Sequence, residues 1–415
     1  MTDGAGQTRP PISRTLGWAA YLGSSWTWCI GMYLPILMVR DLGLAGYLVF
    51  AVPNVVGAAA MGWVLRSPES SRRLVEAHPR ACWWFSMVTA CYHVFWLTWL
   101  GVWAIGAFQG GHWIAAGMAG IAAALALLWP LARAAVLARL AGTAAMLVSL
   151  AAMATVLLLP DALWPTIDRR LASLDIGDSA LWMLPVSLLG FLLCPYLDLT
   201  FHRARQQCPT PGSGRVAFTV GFGVFFALMI IFTLIYAGPM IGFVDGSGGT
   251  GVKIASAAAV ALALHIGVQW LLTTCIHAQA VNDAHGPSRL ARTAPPLLAV
   301  AAGFGAAFAA ELRLFDMAPG EVIYRIFLSF YGLVFPAYLW LNGIDLKHRG
   351  LRRPTERSLR VTAIAIAVAL PFYAAGFLLR IEPWLVPGVL VVLGAKLFTG
   401  PPDPDRVRAR PAPRP

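Results

Sequence analysis

The feature that most constrains this chain is a succession of long apolar blocks separated by short polar stretches. A helix that crosses the hydrocarbon core of a bilayer needs about 20 predominantly apolar residues, and about twelve such blocks are present. They run over residues 16–39, 42–65, 81–108, 113–129, 140–159 and 180–200, then 216–241, 254–278, 293–310, 322–341, 361–379 and 384–398. Only 12% of the residues are charged and 58% are hydrophobic, against roughly 25% charged in a typical soluble domain. A water-soluble fold of 415 residues has no interior large enough to hide that apolar surface. A closed β-barrel also satisfies its backbone within lipid, but its alternating segments of about 10 residues are absent. The expected fold class is therefore an all-α polytopic membrane protein of about twelve transmembrane helices. Residues 1–14 are polar and run directly into a full-length span, which argues against a cleavable signal peptide.

The formal net charge of +12 is explained by topology and not by nucleic-acid binding. With the N-terminus placed in the cytoplasm, Arg9, Arg14, Arg66, Arg72, Arg73, Arg80, Arg133, Arg139, Arg203, Arg205, Arg215, Arg289 and Arg292 fall inside. So do the basic residues of 347–360 and of the Pro/Arg-rich tail. Roughly 23 Lys/Arg lie inside against roughly 7 outside, as the positive-inside rule requires. The expected location is a cell membrane, of bacterial inner-membrane character, with both termini cytoplasmic and the lipid bilayer as partner.

The loops divide the chain into two halves. A cytoplasmic segment at 1–14 precedes a first five-helix unit at 15–159, and an extracytoplasmic connector spans 160–178. A second five-helix unit covers 179–343, two further helices cover 344–399, and a disordered tail is expected at 400–415. Units with an odd number of spans must cross in opposite senses, which is an inverted repeat. The series Phe50, Val52, Val56, Ala59, Met61 recurs at the same spacing as Phe218, Val220, Val224, Ala227, Met229, and His93 ahead of Trp96 has its counterpart in His265 ahead of Trp270. Each unit also opens on an interrupted helix, around Gly31 to Pro35 and around Cys194, Pro195, Tyr196 and Asp198. Proline removes a backbone donor and frees carbonyls, and paired broken helices point to a transporter's binding site.

Five plus five inverted spans with two appended, interrupted in the first and sixth, resemble the LeuT-like fold of the amino acid, polyamine and organocation transporter superfamily. The resemblance is one of architecture over residues 16–341. It implies a substrate and a sodium ion held between spans one, three, six and eight, with Thr273 and Thr274 of span eight as the hydroxyl ligands of that ion.

Among candidate residues, Asp198 is the most informative, because a carboxylate near the centre of a bilayer costs about 2.5–3.5 kcal/mol on insertion scales. It either binds a cationic substrate or sodium or shuttles a proton, or it pairs with Arg203 or His202 where the chain leaves the membrane. His93 and His265 lie inside spans three and eight, either as proton or anion sites or as helix-to-helix hydrogen-bonding groups. Gln269 shares the His265 face by its i+4 spacing. His202, His277 and His285 are expected to be solvated near the cytoplasmic ends. Trp26, Tyr33 and Trp96 either wall a pocket or belong to interfacial belts and packing. The cysteines are read as apolar fillers, no metal spacing is present, and no enzyme motif is found. The function expected is secondary active transport of a small organic solute, such as an amino acid, coupled to Na+ or H+ without a cofactor. A membrane-embedded lipid-modifying enzyme using span histidines, or a non-transporting solute sensor, is the alternative.

Overall fold

The computed structural model describes residues 11–109, 111–159, 178–244, 256–284, 287–345 and 350–400. The connector expected at 160–178 and the tail expected at 400–415 lie almost wholly outside the described residues, as do residues 1–10 and His285.

Helix α1 (Ile12–Trp26) passes through a π-helical turn, Thr27–Met32, into α2 (Leu34–Val64). Then follow α3 (Pro68–Ala77), α4 (Pro79–Gln109), α5 (Ile114–Arg133) and α6 (Ala135–Leu157). Helix α7 (Asp178–Leu193) tightens into a 3-10 turn, Cys194–Leu197, before the short α8 (Leu199–Gln206). Helix α9 (Pro211–Val220), a π turn at Gly221–Phe226, α10 (Ala227–Ile235) and α11 (Ala237–Val244) succeed one another directly. The remainder is α12 (Ser256–Asp283), α13 (Arg289–Phe308), α14 (Pro319–Ser329), α15 (Phe335–Tyr338), α16 (Glu356–Phe377) and α17 (Leu385–Gly394). Between α15 and α16, β1 (Ile344–Asp345) pairs antiparallel with β2 (Gly350–Leu351), with Ile344 opposite Leu351.

Among the described residues, ten helical stretches are long and apolar enough to cross a membrane, and the protein is an all-α, multi-pass membrane protein. Its outer surface agrees with lipid as solvent. Leu297, Leu298 and Ile364 are 67%, 70% and 64% exposed, positions at which a soluble protein would display an aggregating patch. The helix ends solve the problem of unpaired backbone N–H groups locally. Ser67 with Ser70, Thr210 with Ser213 and Thr355 with Ser358 form reciprocal hydroxyl caps at the starts of α3, α9 and α16, satisfying donors that lipid cannot.

One apolar stretch, Ile30–Val64, is 35 residues long, or about 50 Å at 1.5 Å per residue, well beyond a hydrocarbon core of about 30 Å. It is divided at Gly43, whose φ of 64° and ψ of −158° lie in backbone space open to glycine and closed to bulky residues. Packing then places the core. Helix α2 lies on α7, α4 on α13, α12 on α6 and α4, and α1 on α6 and α9. The α2–α7 contact is backbone to backbone, since a Cβ added at Gly57 would stand 2.1 Å from the Phe191 carbonyl oxygen. Small residues are what permit such approach in membranes.

Gly57→Val is therefore expected to force α2 off α7 and to lower stability by about 1–3 kcal/mol or more. Gly305→Ala meets nothing within 4 Å and should leave the melting temperature in detergent unchanged or slightly raised. Equal melting of the two variants would refute this close contact.

Candidate functional site

The buried polar side chains gather at two levels of the bundle. The first level joins α2 to α14, where Arg40 and Asp41 precede the Gly43 break and Glu321 and Arg325 sit one turn apart. Arg40 donates through its two Nη atoms to Glu321 at 2.9 and 2.6 Å, and through Nε to Asp41 Oδ1 at 2.8 Å. Arg325 donates through Nε to Glu321 Oε1 at 2.8 Å, through Nη2 to Asp41 Oδ2, and through Nη1 to the Phe377 carbonyl at 3.2 Å. Two cations and two carboxylates cancel, and each acid is shared by both arginines. That mutual pairing offsets a burial cost of several kcal/mol per ion.

Beneath this ion cluster lies an aromatic layer. The Tyr33 ring packs edge-on against Trp96 and Tyr324 at centroid distances of 4.2 and 4.6 Å, and Tyr92 stacks on Phe327. Tyr33 of this layer lies within electrostatic range of all four charges of the cluster. Trp26 is separate. Its indole N–H donates to Asn54 Oδ1 at 2.6 Å, and its ring packs among Phe85, Phe201 and Tyr331. Trp26, Tyr33 and Trp96 are each at most 4% exposed, so in this conformation they pack against other side chains and do not wall an open pocket. Gly31 likewise serves packing: its carbonyl accepts from Thr233 Oγ1 at 3.0 Å.

The second level is built by the other interrupted helix and by α12. Asp198 leaves the helical region (φ −78°, ψ 112°) and caps α8, its Oδ1 accepting from the Thr200 backbone N–H and hydroxyl, both at 2.7 Å. Pro195 closes the preceding turn by accepting from the Asp198 N–H, and the Tyr196 carbonyl faces His202 Nε2 at 2.8 Å. Asp198 is fully buried and pairs with neither Arg203, which donates to the Ala132 and Arg133 carbonyls, nor His202. His277 of α12 lies within electrostatic range of it. On α12, His265, Gln269, Thr273 and His277 recur every fourth residue and all are fully buried, one polar ladder along a single face. His277 lies against the Ser25 carbonyl at 3.2 Å and its ring is 5.2 Å from that of His93. Gln269 donates to Ser149 at 2.9 Å and to Ser24 at 3.4 Å. Thr273 and Thr274 donate to carbonyls of their own helix at 2.7 and 2.8 Å. His265, about 18 Å up the helix from His277, packs instead on Phe232 and Tyr236 and does not meet His93.

The expectation that His202 and His277 are solvated is overturned: they are 1% and 0% exposed, because α8 and the last turns of α12 fold against α1 and α3. Next to them a cavity of about 930 Å³ opens at the arginine-rich end of the bundle. Exposed Glu76, Arg80 and Asp283 form its mouth, and Tyr21, Thr200, His202 and Ile276 its floor. Among the described residues no group of three or more His, Cys, Asp or Glu is arranged to hold a metal ion, and Cys82, Cys91, Cys194, Cys208 and Cys275 are free thiols. Sequence reasoning missed the Arg40, Asp41, Glu321 and Arg325 cluster and His277. The i+4 ladder on α12 was available to find the second; the first joins residues 281 positions apart. Comparison with protein-family models, with curated proteins and with solved structures finds no match to this chain.

Two histidines outside the apolar spans make the fold acid-sensitive. Burial holds the imidazoles of His78 and His202 down to about 4, from an ordinary 6.5. For His202 the hydrogen bonds agree, since Nε2 must donate to the Tyr196 carbonyl and Nδ1 must accept from the Ser71 hydroxyl at 2.8 Å. Unfolded chains gain these protons as pH drops below about 6.5, whereas folded chains resist until about 4. Stability is thus intact above the upper value and is lost progressively towards the lower one. His202→Gln should flatten the slope of melting temperature against pH in that window, and an unchanged slope would remove His202 from the acid response.

Proposed function

We propose that the protein is a secondary active transporter of a small organic solute, driven by a sodium or proton gradient and working by alternating access. The observation that carries this reading is unequal access to the centre of the bundle. A cavity reaches Thr200, next to Asp198, from the arginine-rich end, while the ion cluster and the aromatic layer close the other. By the positive-inside rule the open end is cytoplasmic, as are both termini, and the conformation is then inward-open.

The packing supports a specific architecture. We read twelve crossings, with Gly43 turning the long stretch into a hairpin and α17 with its following 3-10 turn, Ala395–Phe398, as the last. Exchanging spans one to five with six to ten maps several of the main contacts onto one another, while α12 on α6 is answered only by the smaller contact of α4 with α15. Helix α1 on α9 answers to α7 on α2, α4 on α13 to α12 on α5, and α1 on α6 to α7 on α15. Contacts α4–α12 and α2–α9 map onto themselves. Burial follows the sequence repeat: Phe50 and Phe218 are buried, Val56 and Val224 are exposed, and Met61 and Met229 are buried. An inverted repeat of five plus five with two appended spans is the basis for proposing a LeuT-like fold here.

The cavity's lining mixes Glu76 and Asp283 with Arg80 and Arg203, which suits a zwitterion such as an amino acid. The test is a thermal-stability screen of the purified protein against amino acids, polyamines, nucleobases and sugars in sodium or potassium. A ligand of the folded state raises stability by about 2.7 kcal/mol at a hundred times its Kd. One solute class should stabilise, and the same class should accumulate in proteoliposomes under an ion gradient. Folded protein stabilised by none of them would favour a lipid-acting enzyme. A second expectation concerns the closed end: in a cysteine-free background carrying Val322→Cys, Glu321→Gln should raise labelling by a membrane-impermeant maleimide from outside several-fold. Unchanged labelling would show that the ion cluster is not the closure.

A further inference from the structure

The hydrogen bonds of two buried histidines determine their tautomers. His93 Nδ1 lies 2.6 Å from the Thr89 carbonyl oxygen and His277 Nε2 lies 3.2 Å from that of Ser25. A carbonyl only accepts, so each of those nitrogens carries a hydrogen. The other nitrogen of each neutral ring, His93 Nε2 and His277 Nδ1, is then a bare lone pair, and both are buried with no hydrogen-bonding partner among the described residues. The two rings lie 5.2 Å apart and within 22° of parallel. Asp198 contributes a third bare acceptor, since Thr200 satisfies only Oδ1 and the buried Oδ2 has no partner. The two lone pairs stand ring to ring, and Asp198, whose carboxylate also interacts with the Phe201 backbone N–H, lies within electrostatic range of His277; bare acceptors so placed cost free energy until a proton enters.

We infer that His93, His277 and Asp198 form a proton-binding site loaded from the open cavity, and that the proton held there is the coupling ion; the second clause rests on the transporter reading above. The step is proton transfer alone. A proton from cavity water binds an imidazole lone pair, the resulting imidazolium is neutralised by the Asp198 carboxylate, and in the outward-open state the proton returns to water on the other side. The entry path is short, because Thr200, which donates to Asp198, and Ile276, which precedes His277, both line the cavity.

Among the described residues no arginine or lysine forms a salt bridge with Asp198. The other titratable side chains within electrostatic range of the Asp198 carboxylate are Tyr21 of α1, Cys82 of α4 and Cys194 of the 3-10 turn. On α8, Arg203 is held by the carbonyls of Ala132 and Arg133 and His202 by Ser71 and Tyr196. Helices α5, α6 and α13, packed behind α12 and α4, carry charge at Arg133, Arg139, Arg289 and Arg292, in their end turns. Asp283 stands at the cavity mouth. The observations also favour a proton over sodium. Thr273 and Thr274 donate to their own helix, and the Ser25 carbonyl of α1 that faces α12 accepts from His277.

The proton is its own probe. Full-length protein labelled with ¹⁵N-histidine in nanodiscs is titrated by NMR, with His93→Gln and His277→Gln assigning the two rings. The two rings should take up a proton in linked fashion, each variant displacing the other's transition. Asp198→Asn, which keeps the Oδ1 cap on Thr200, should weaken proton binding about tenfold. Rings that remain neutral across the range in which the protein stays folded, or that titrate independently of Asp198, overturn the site. In proteoliposomes, a solute driven by a pH gradient and indifferent to Thr273→Ala with Thr274→Ala is the expected result; one driven by sodium alone overturns the coupling. Protein that titrates as described but moves no solute under any gradient defeats the transporter reading and leaves the proton site standing.

Discussion

A charge inside a membrane bundle survives only where other helices bring it a partner, and the cluster of Arg40, Asp41, Glu321 and Arg325 is the largest instance here. It ties the first apolar stretch to α14 across nearly 300 residues of chain. Removing one member of such a network costs about 3–5 kcal/mol, because it strands the remaining charges. The same strength suits it to the closure proposed above. In the transporter proposed above, the closed end has all four groups paired, and opening would separate and hydrate them together. The aromatic layer of Tyr33, Trp96 and Tyr324 lies against the cluster, so opening one requires moving the other.

The lower polar level obeys the opposite logic. The ion cluster is saturated with hydrogen bonds, whereas His93, His277 and Asp198 each end in a bare acceptor. Saturated groups hold a conformation; the unsaturated ones are the basis of the proton site proposed above. The interrupted helices produce this contrast. At Thr27–Met32 the π turn lets Gly31 offer its carbonyl to Thr233, an internal use. At Asp198 the backbone leaves the helix altogether, and the carboxylate that caps α8 retains one oxygen for something else. Proline marks both breaks in the sequence but does not distinguish their roles.

Much of the fold was legible because lipid imposes one rule on every segment: bury the backbone's polar groups within a helix and face the solvent with apolar side chains. That rule is local, so the apolar helices, the break points near Pro35 and Pro195, and the placing of His265 and Gln269 inside a span follow from composition and spacing, whereas for Asp198 they left burial and the membrane surface both open. The site was less legible. Trp26, Tyr33 and Trp96 are aromatic residues in the expected spans, yet whether they line a cavity or pack against one another depends on neighbours hundreds of residues away. His277 was misplaced because its distance from the end of an apolar run suggested solvent, whereas α8 and α1 cover it.

By itself the sequence determined that this chain is a multi-pass α-helical membrane protein, because apolar length and charge placement are properties of each segment alone. Tertiary structure decided which charges meet, which end of the bundle is open, and which histidine rings lie against one another. Those outcomes depend on helix packing. The ionic partners of Arg40 and the ring neighbour of His93 come from helices whose adjacency no local pattern encodes.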